Sequence, residues 1–272
     1  MPALSNKELE QVLEKIFDEL LQKGYINALS SKDKEHFIQN IIENLSANDV
    51  SIQKEDLLNP KFRKTLCLSA ISEVVSVSHP ELKLNHSFLF KDHSQANRNE
   101  LKNELNDHLE KTLTAMNRMS PNPMSAVKVK ALALELSEKL TQEFMTGPED
   151  ENSLAKNEKV VDVYEEMLSA TLENLFGGTD PRHPGTTLRP VTSAIGNLYS
   201  FVNYAQSNAS STMGEDNKDQ FQDISKAGYG MKDVTITDDI MRGMDSIFDE
   251  LINSPLSKTP TPFNNTPNPF QR

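Results

Sequence analysis

Three long stretches in the middle of the chain repeat apolar residues every three or four positions, and this spacing constrains the fold most. The stretches are residues 95–119, 124–146 and 153–176. Apolar residues at such intervals line one face of an α-helix. The connections between them are short and contain Pro or Gly, so neighbouring helices should run antiparallel. We therefore predict a bundle of long antiparallel helices, completed by one shorter helix, over residues 95–206.

The composition of the chain favours helix over sheet. Only ten of the 272 residues are Gly, and Leu, Glu, Lys, Gln and Ala are helix formers. We therefore predict an all-α protein. Ser5 and Glu8 have the spacing of a capping box, and amphipathic patterns over residues 1–77 predict an N-terminal helical unit. Pro80 interrupts the pattern, and residues 78–94 are predicted to be a loop that forms the boundary to the bundle.

The composition changes after the bundle. Residues 207–236 hold few apolar side chains and predict a flexible linker. Residues 237–253 have the pattern of an amphipathic helix. Five prolines lie in the nineteen residues 254–272, so we predict a disordered C-terminal tail there.

The pentapeptide IFDEL occurs at residues 16–20 and again at 247–251. The flanking residues do not align, so two amphipathic helices with a common composition explain the match better than an internal repeat. A helix at the end of a linker can dock into the groove of a partner. It can also fold back on its own bundle, which the high effective concentration of a tethered helix favours. The predicted partner-binding residues are Ile240, Met244, Ile247, Phe248 and Leu251 in the helix, with Phe263 and Phe270 in the tail.

The charge of the chain bears on its partners. With 28 basic and 40 acidic residues the net charge is −12, which disfavours nucleic acid and anionic membrane surfaces and favours basic partners. No apolar run is long enough to span a membrane, and no signal-peptide pattern is present. Cys67 is the single cysteine, so no intrachain disulfide forms. We expect a soluble protein, cytoplasmic in the producing cell, with protein partners and without a cofactor; its oligomeric state stays open.

The glycine-containing segment 177–190 is predicted to be an irregular loop. Arginine side chains and backbone amides can hold an anion, so Arg182, His183 and Arg189 are the first candidates for a small-ligand site. The segment lacks the strand-to-helix context and the lysine of a phosphate-binding loop. A purely structural connection between helices is therefore the favoured interpretation.

Three histidines are spaced by seven residues, at His79, His86 and His93. A continuous helix would place them on one face, but Pro80 lies inside the run. We therefore interpret them as loop or surface histidines and predict no metal site, with a site that includes Asp92 as the alternative.

The C-terminal stretch resembles the translocation signals of substrates of bacterial Dot/Icm type IVB secretion systems. Such signals are disordered, rich in Ser, Thr and Pro, follow an acidic patch and carry an apolar residue near the end. Here the acidic FDEL at residues 248–251 precedes a Ser/Thr/Pro-rich tail, and Phe270 is third from last. The resemblance implies an exported effector or an accessory protein of that machine.

The chain shows no motif of hydrolases, kinases, zinc proteases or calcium-binding loops. We therefore predict a non-enzymatic interaction protein, an adaptor or assembly subunit of a bacterial complex. It would act in the cytoplasm, in association with a membrane complex, or after export. The alternatives are an exported effector whose tail is the translocation signal, and a helical enzyme that depends on a small ligand or a metal.

Overall fold

The fold of the chain is all-α, as predicted, and was obtained as a computed structural model. The structure describes residues 3–120, 123–176, 179–180, 183–187, 194–202 and 235–253. The helices are α1 (Asn6–Gln22), α2 (Ser31–Ala47), α3 (Pro60–Ser76), α4 (His86–Phe90), α5 (Arg98–Met119), α6 (Ala126–Thr146), α7 (Glu158–Phe176), α8 (residues 194–202) and α9 (Ile236–Asn253). Short 3-10 helices are η1 (Lys54–Leu58), η2 (Pro80–Leu82) and η3 (Leu154–Lys156).

The ends of α1 follow from its sequence. The Ser5 hydroxyl accepts a hydrogen bond from the Glu8 backbone N–H, and the Glu8 carboxylate accepts one from the Ser5 backbone N–H, which confirms the capping box. At the other end Gly24 has a φ of 74°. Its N–H donates to Leu21 O while the Tyr25 N–H donates to Leu20 O, a pairing that needs a left-handed residue and so favours glycine.

Helix α3 lies at the centre of the fold. It packs against α1, α2, α7 and α9, and twelve of its seventeen residues are buried. A helix that is apolar on nearly all sides has to be surrounded by other elements. Because α7 lies along α3, one continuous core of buried residues joins the N-terminal helices to the long helices.

Helices α5 and α6 form a long antiparallel pair. Arg98 and Lys102 near the start of α5 pair with Glu138 in the second half of α6, while Lys130 near the start of α6 pairs with Glu110. The leucines predicted to face inward are buried between the helices. The antiparallel arrangement predicted for these helices is confirmed.

The segment 78–94 differs from the predicted loop. It contains η2 and α4, because Pro80 occupies the first position of η2, where a missing N–H breaks no helical bond. Asn85 caps α4 through a hydrogen bond from the Phe88 N–H. Three buried apolar side chains anchor the segment, namely Leu84, Phe88 and Phe90.

The segment predicted as an irregular loop contains a short antiparallel hairpin. Strand β1 (Thr179–Asp180) pairs with β2 (His183–Thr187), with Thr179 opposite Thr187 and Asp180 opposite His183. Two strands of this length do not change the fold class. Strand pairing here was missed because the segment lacks the alternation of apolar and polar residues that marks a strand.

Candidate functional site: the seat of helix α9

Helix α9 packs on a surface made by three elements of the body, α1, η1 and α3. We call this surface the α9 seat. Its basic side chains that reach α9 are Lys23, Lys54, Arg63 and Lys64. The helix folds back on its own chain, which is one of the two alternatives, but it packs mainly on the N-terminal helices and not, as predicted, on the bundle of residues 95–206.

The apolar face of α9 is turned into the core. Ile240, Met244 and Phe248 are 0% exposed, and Leu251 is also buried. Ile247 lies at the margin and is partly buried. These are the five helical residues predicted to bind a partner, so in this docked state the body of the chain itself covers most of that face.

The two IFDEL segments lie in neighbouring antiparallel helices. Asp239, near the start of α9, pairs with Lys23, just after the end of α1. At the opposite end, Lys54 contacts both the Leu251 carbonyl near the end of α9 and Glu8 at the start of α1. In both segments the Phe and the Leu face the core. The shared pentapeptide thus reflects two amphipathic helices that bury their faces in one core.

Acidic residues in the first turn of α9 bind cations of the seat. Asp238 lies 2.8 Å from Lys64 Nζ, and Asp239 accepts a hydrogen bond of 3.0 Å from the Tyr25 hydroxyl. Lys23 Nζ also donates to the Asp239 carbonyl oxygen at 2.6 Å. Carboxylates at a helix N-terminus further favour the helix dipole.

Lys64 links α9 to α7 as well. Its ammonium lies between Asp238 and Glu165, and Glu165 also accepts a hydrogen bond from Thr237. Burial opposes the charge on Lys64, but the two carboxylates outweigh it, so the pKa of Lys64 is raised. Burial likewise opposes the charge on Asp238, but the ion pair with Lys64 outweighs it and lowers the pKa of Asp238. Both groups therefore stay charged at neutral pH.

Arg63 holds the middle of α9. Its guanidinium carbon lies 4.4 Å from the centroid of the Phe248 ring, and Nη1 lies 3.7 Å from Asp245. A cation over an aromatic face contributes about 0.5–2 kcal/mol, more where water is excluded. The Arg63 Nε–H donates to the Leu57 carbonyl of η1, which fixes the plane of the guanidinium.

Lys54 holds the C-terminal end of α9. This nearly buried ammonium donates to the Leu251 carbonyl at 3.2 Å, one of the last carbonyls of a helix and so without a partner within the helix. It also lies 2.6 Å from Glu8. The hydrogen bond from Lys54, together with that from Ser5, lowers the pKa of Glu8 to about 2.

Gly243 marks the closest approach of α9 to α1. A Cβ atom at this position would lie 2.2–2.5 Å from the three carboxylate atoms of Glu19. Glu19 is itself only 5% exposed and is held by Lys15 at 2.8 Å and Lys23 at 3.7 Å. A side chain at position 243 therefore requires Glu19 to leave its place. The sequence signal for this contact was a glycine inside an amphipathic helix.

The charges of α9 and of its seat are complementary. Helix α9 has five acidic residues and one basic residue, a net charge of −4. The seat meets it with the four cations named above, although the whole chain carries a net charge of −12. The seat thus presents four cations to α9, three of which are also paired with carboxylates of the body, Glu8, Glu19 and Glu165.

The three histidines spaced by seven have separate surroundings. His86 is buried, with Nε2 2.9 Å from Glu73; His93 Nε2 lies 2.7 Å from the Phe88 carbonyl; and His79 is near Glu81. The interpretation as loop or surface histidines holds for His79 and His93, which lie in loops, although His93 is buried. It is wrong for His86, which is buried at the start of α4. In the described part of the chain no three His, Cys, Asp or Glu side chains are grouped to hold a metal.

Several other candidates fall where the structure gives no side chain. Arg182, Arg189, Phe263 and Phe270 lie outside the described residues, and His183 is described only as part of β2. Their assignments stay predictions. Cys67 is buried in α3, where it packs as a small apolar residue, and burial raises the pKa of its thiol.

A cleft of about 300 Å³ lies between η2 and α5. Most of its charged groups have partners, since Arg118 lies 3.6 Å from Glu81, Lys111 is paired with Asp107, and Glu110 is paired with Lys130. No apolar residue lines it, so it lacks the apolar walls usual for a small-molecule site.

Comparison with known proteins returns nothing for this chain: no protein-family model, no curated protein and no solved structure matches it. Among the described helices, none combines the length and apolar character needed to cross a membrane.

Proposed function

We propose that this chain is a non-enzymatic interaction protein, an adaptor or assembly subunit, and that α9 is its detachable docking element. It works in the cytoplasm of the producing cell, alone or in association with a membrane complex. The observation that carries the proposal is the apolar face of α9, whose members at 240, 244, 248 and 251 have the spacing by which helices enter grooves. The same face that is stored in the seat is the one that a partner would bind.

The attachment of α9 supports an exchange between two states, one with α9 bound to its own seat and one with α9 bound to a partner. Thirty-three residues, 203–235, connect α9 in sequence to α8. Both of its ends are held by ion pairs and hydrogen bonds, which water and salt can replace. The apolar face, in contrast, has to be covered again, and each fully buried apolar side chain contributes about 1.5–3 kcal/mol.

The docked state sets the affinity of the partner. With a docking free energy of about 3 kcal/mol, roughly 1% of molecules would have α9 free, so the apparent Kd for a partner is about a hundredfold weaker than that of the isolated helix. Substitutions that weaken only the polar contacts should raise the apparent affinity and leave the apolar face of α9 intact.

A quantitative pull-down from lysate of the producing organism tests the proposal. It compares the full chain, a chain without residues 237–272, a chain without 254–272, and the full-length double variant Lys23→Ala/Lys64→Ala. We expect stoichiometric partners that the double variant binds more strongly, that the loss of 254–272 leaves in place, and that the loss of 237–272 removes. If no version retains a partner, or if the truncation at 237 changes nothing, the proposal is wrong.

The resemblance of the tail to type IVB translocation signals favours a second function, that of an exported effector. In that case the deletion of residues 254–272 abolishes export through a type IVB machine. The deletion begins after Asn253, the last residue of α9, so the melting temperature of the chain should stay unchanged. Export of the truncated chain at the level of the full chain would exclude this function.

A further inference from the structure

The four cations of the α9 seat are held in place by the body of the chain and not by α9 alone. Each has a second partner outside α9, so each keeps its position when α9 leaves. Such preorganised groups lose little side-chain freedom when a ligand binds. The supporting contacts are Lys54 to Glu8 (2.6 Å), Arg63 to the Leu57 carbonyl, Lys64 to Glu165 (3.5 Å) and Lys23 to Glu19 (3.7 Å).

An empty seat is unfavourable for the chain. The residues of α9 that face it are fully buried, so the departure of α9 uncovers apolar surface on α1, η1 and α3 as well as on α9 itself. Exposed apolar surface of this kind favours a new partner. A helix that replaces α9 in the seat removes that surface from water again and so stabilises the open state.

The charge of the seat restricts which helix fits. Four cations converge on α9 in a chain whose overall charge repels acidic partners. Basic side chains of a partner opposite these cations would repel them at a partly buried interface, which is costly. A neutral or basic helix would therefore lose the contacts made by Lys23, Lys64 and Arg63.

We propose that the α9 seat binds an acidic amphipathic helix of a partner protein in exchange for α9. This inference rests on the proposed function, because it requires that α9 can leave the seat. It adds a second docking site, on the body of the chain, to the one that α9 provides.

The contacts of α9 define the pattern that such a helix presents. An acidic pair in the first turn meets Lys64 and Lys23, as Asp238 and Asp239 do. A glycine follows where the helix crosses Glu19, as at Gly243. Apolar residues occupy the positions of 240, 244, 248 and 251, with an aromatic ring at 248 beneath Arg63.

Titration of full-length variants with labelled peptides tests this site. Phe248→Asp, which places a charge in the core, and Gly243→Leu, which displaces Glu19, are each expected to remove α9 from the seat. Both leave the amino-acid sequence of the seat unchanged. The first probe is a fluorescein-labelled peptide of residues 235–253, followed by fluorescence anisotropy. We expect both variants to bind it, and the wild-type chain, whose seat is occupied, to bind it at least about tenfold more weakly.

Two further probes test the chemistry. The same peptide with Asp238→Lys and Asp239→Lys should bind at least about tenfold more weakly, since it loses two charge-assisted contacts. A peptide of unrelated sequence that keeps only the acidic pair, the glycine and the apolar positions should bind, and its scrambled form should not. Circular dichroism of both variants shows that the body is folded.

The outcomes separate this inference from the proposed function. If both folded variants bind none of the peptides, or if the charge-reversed peptide binds as well as the original, the inference is wrong. If the variants bind the peptides but the loss of α9 does not change the pull-down, the seat is a docking site and the proposed function of α9 is wrong. In that case α9 only covers the seat.

Discussion

The contact between Gly243 and Glu19 gives the sharpest test of how α9 is docked. Alanine at position 243 has two opposite effects. Gly is about 1 kcal/mol less favourable than Ala in the interior of a helix, so the substitution favours α9 as a helix. In the docked state, however, the new methyl group would lie 2.2–2.5 Å from the Glu19 carboxylate. Glu19 then has to leave the place where Lys15 and Lys23 hold it, and overpacking of this kind costs about 1–3 kcal/mol.

The gain in helix propensity and the clash with Glu19 oppose each other, so the sign of the change in stability depends on whether Glu19 is present. Gly243→Ala alone should lower the free energy of unfolding by up to about 2 kcal/mol, since the clash exceeds the helix propensity. In a Glu19→Ala background the clash is absent, and Gly243→Ala should then raise the free energy of unfolding by about 1 kcal/mol. The coupling free energy of the double-mutant cycle is therefore about 1–3 kcal/mol.

Urea unfolding of the four proteins, analysed with a common slope, measures these differences. Gly196 in α8 supplies a matched control, because a Cβ there meets no atom within 4 Å; Gly196→Ala should stabilise the chain in both backgrounds alike. If Gly243→Ala has the same sign and size with and without Glu19, the two helices do not cross at this point and the described docking is wrong.

Three further substitutions or conditions have defined outcomes. Phe248→Ala should lower the free energy of unfolding by about 3 kcal/mol, because the docking free energy of α9 limits the loss, and should raise hydrogen exchange in α9 more than in α5. The pKa of Glu8 is about 2 in the folded chain, against an ordinary value of 4.5. The ionised Glu8 carboxylate therefore stabilises the fold fully above pH 4.5, and this contribution declines as the pH falls toward 2. The urea midpoint should show the decline, and Lys54→Met should make the decline smaller. Glu73→Ala should destabilise by at least about 1–3 kcal/mol in thermal or urea unfolding, because the buried His86 ring loses its hydrogen bond, whereas Glu138→Ala, at an exposed ion pair, should cost under about 1 kcal/mol.

Much of the fold could be predicted because amphipathic helices carry local signals. The capping box at Ser5 and Glu8, the left-handed Gly24 and the leucine spacing of α5 and α6 each depend on residues within a turn or two of one another. The five apolar positions of α9 are visible in the same way. Periodicity therefore identified both the element and the face that it buries.

What could not be predicted depends on contacts between distant residues. Twelve buried residues make α3 the central helix, but its sequence shows no single polar face that would reveal which helices surround it. In the sequence Pro80 indicates an interruption of helix, whereas its place at the start of η2 depends on the packing of η2 on α3 and α5. The pairs Gly243 with Glu19 and Arg63 with Phe248 join residues that are far apart in sequence, and no local rule connects them.

Native-state hydrogen exchange of α9 tests the central claim most directly, namely that this helix is docked at rest and can be released while the body stays folded. We predict that the α9 amides of the full chain exchange far more slowly than those of the free peptide of residues 235–253. They should also exchange faster than the amides of α3, because α9 opens locally while the body stays folded. The free energy of this local opening should depend only weakly on low concentrations of urea. The double variant Lys23→Ala/Lys64→Ala should accelerate the hydrogen exchange of the α9 amides and leave that of the α3 amides unchanged. Exchange of α9 at the rate of the free peptide would show that it is never docked, and exchange only together with α3 would show that it is never released on its own; either result contradicts the account.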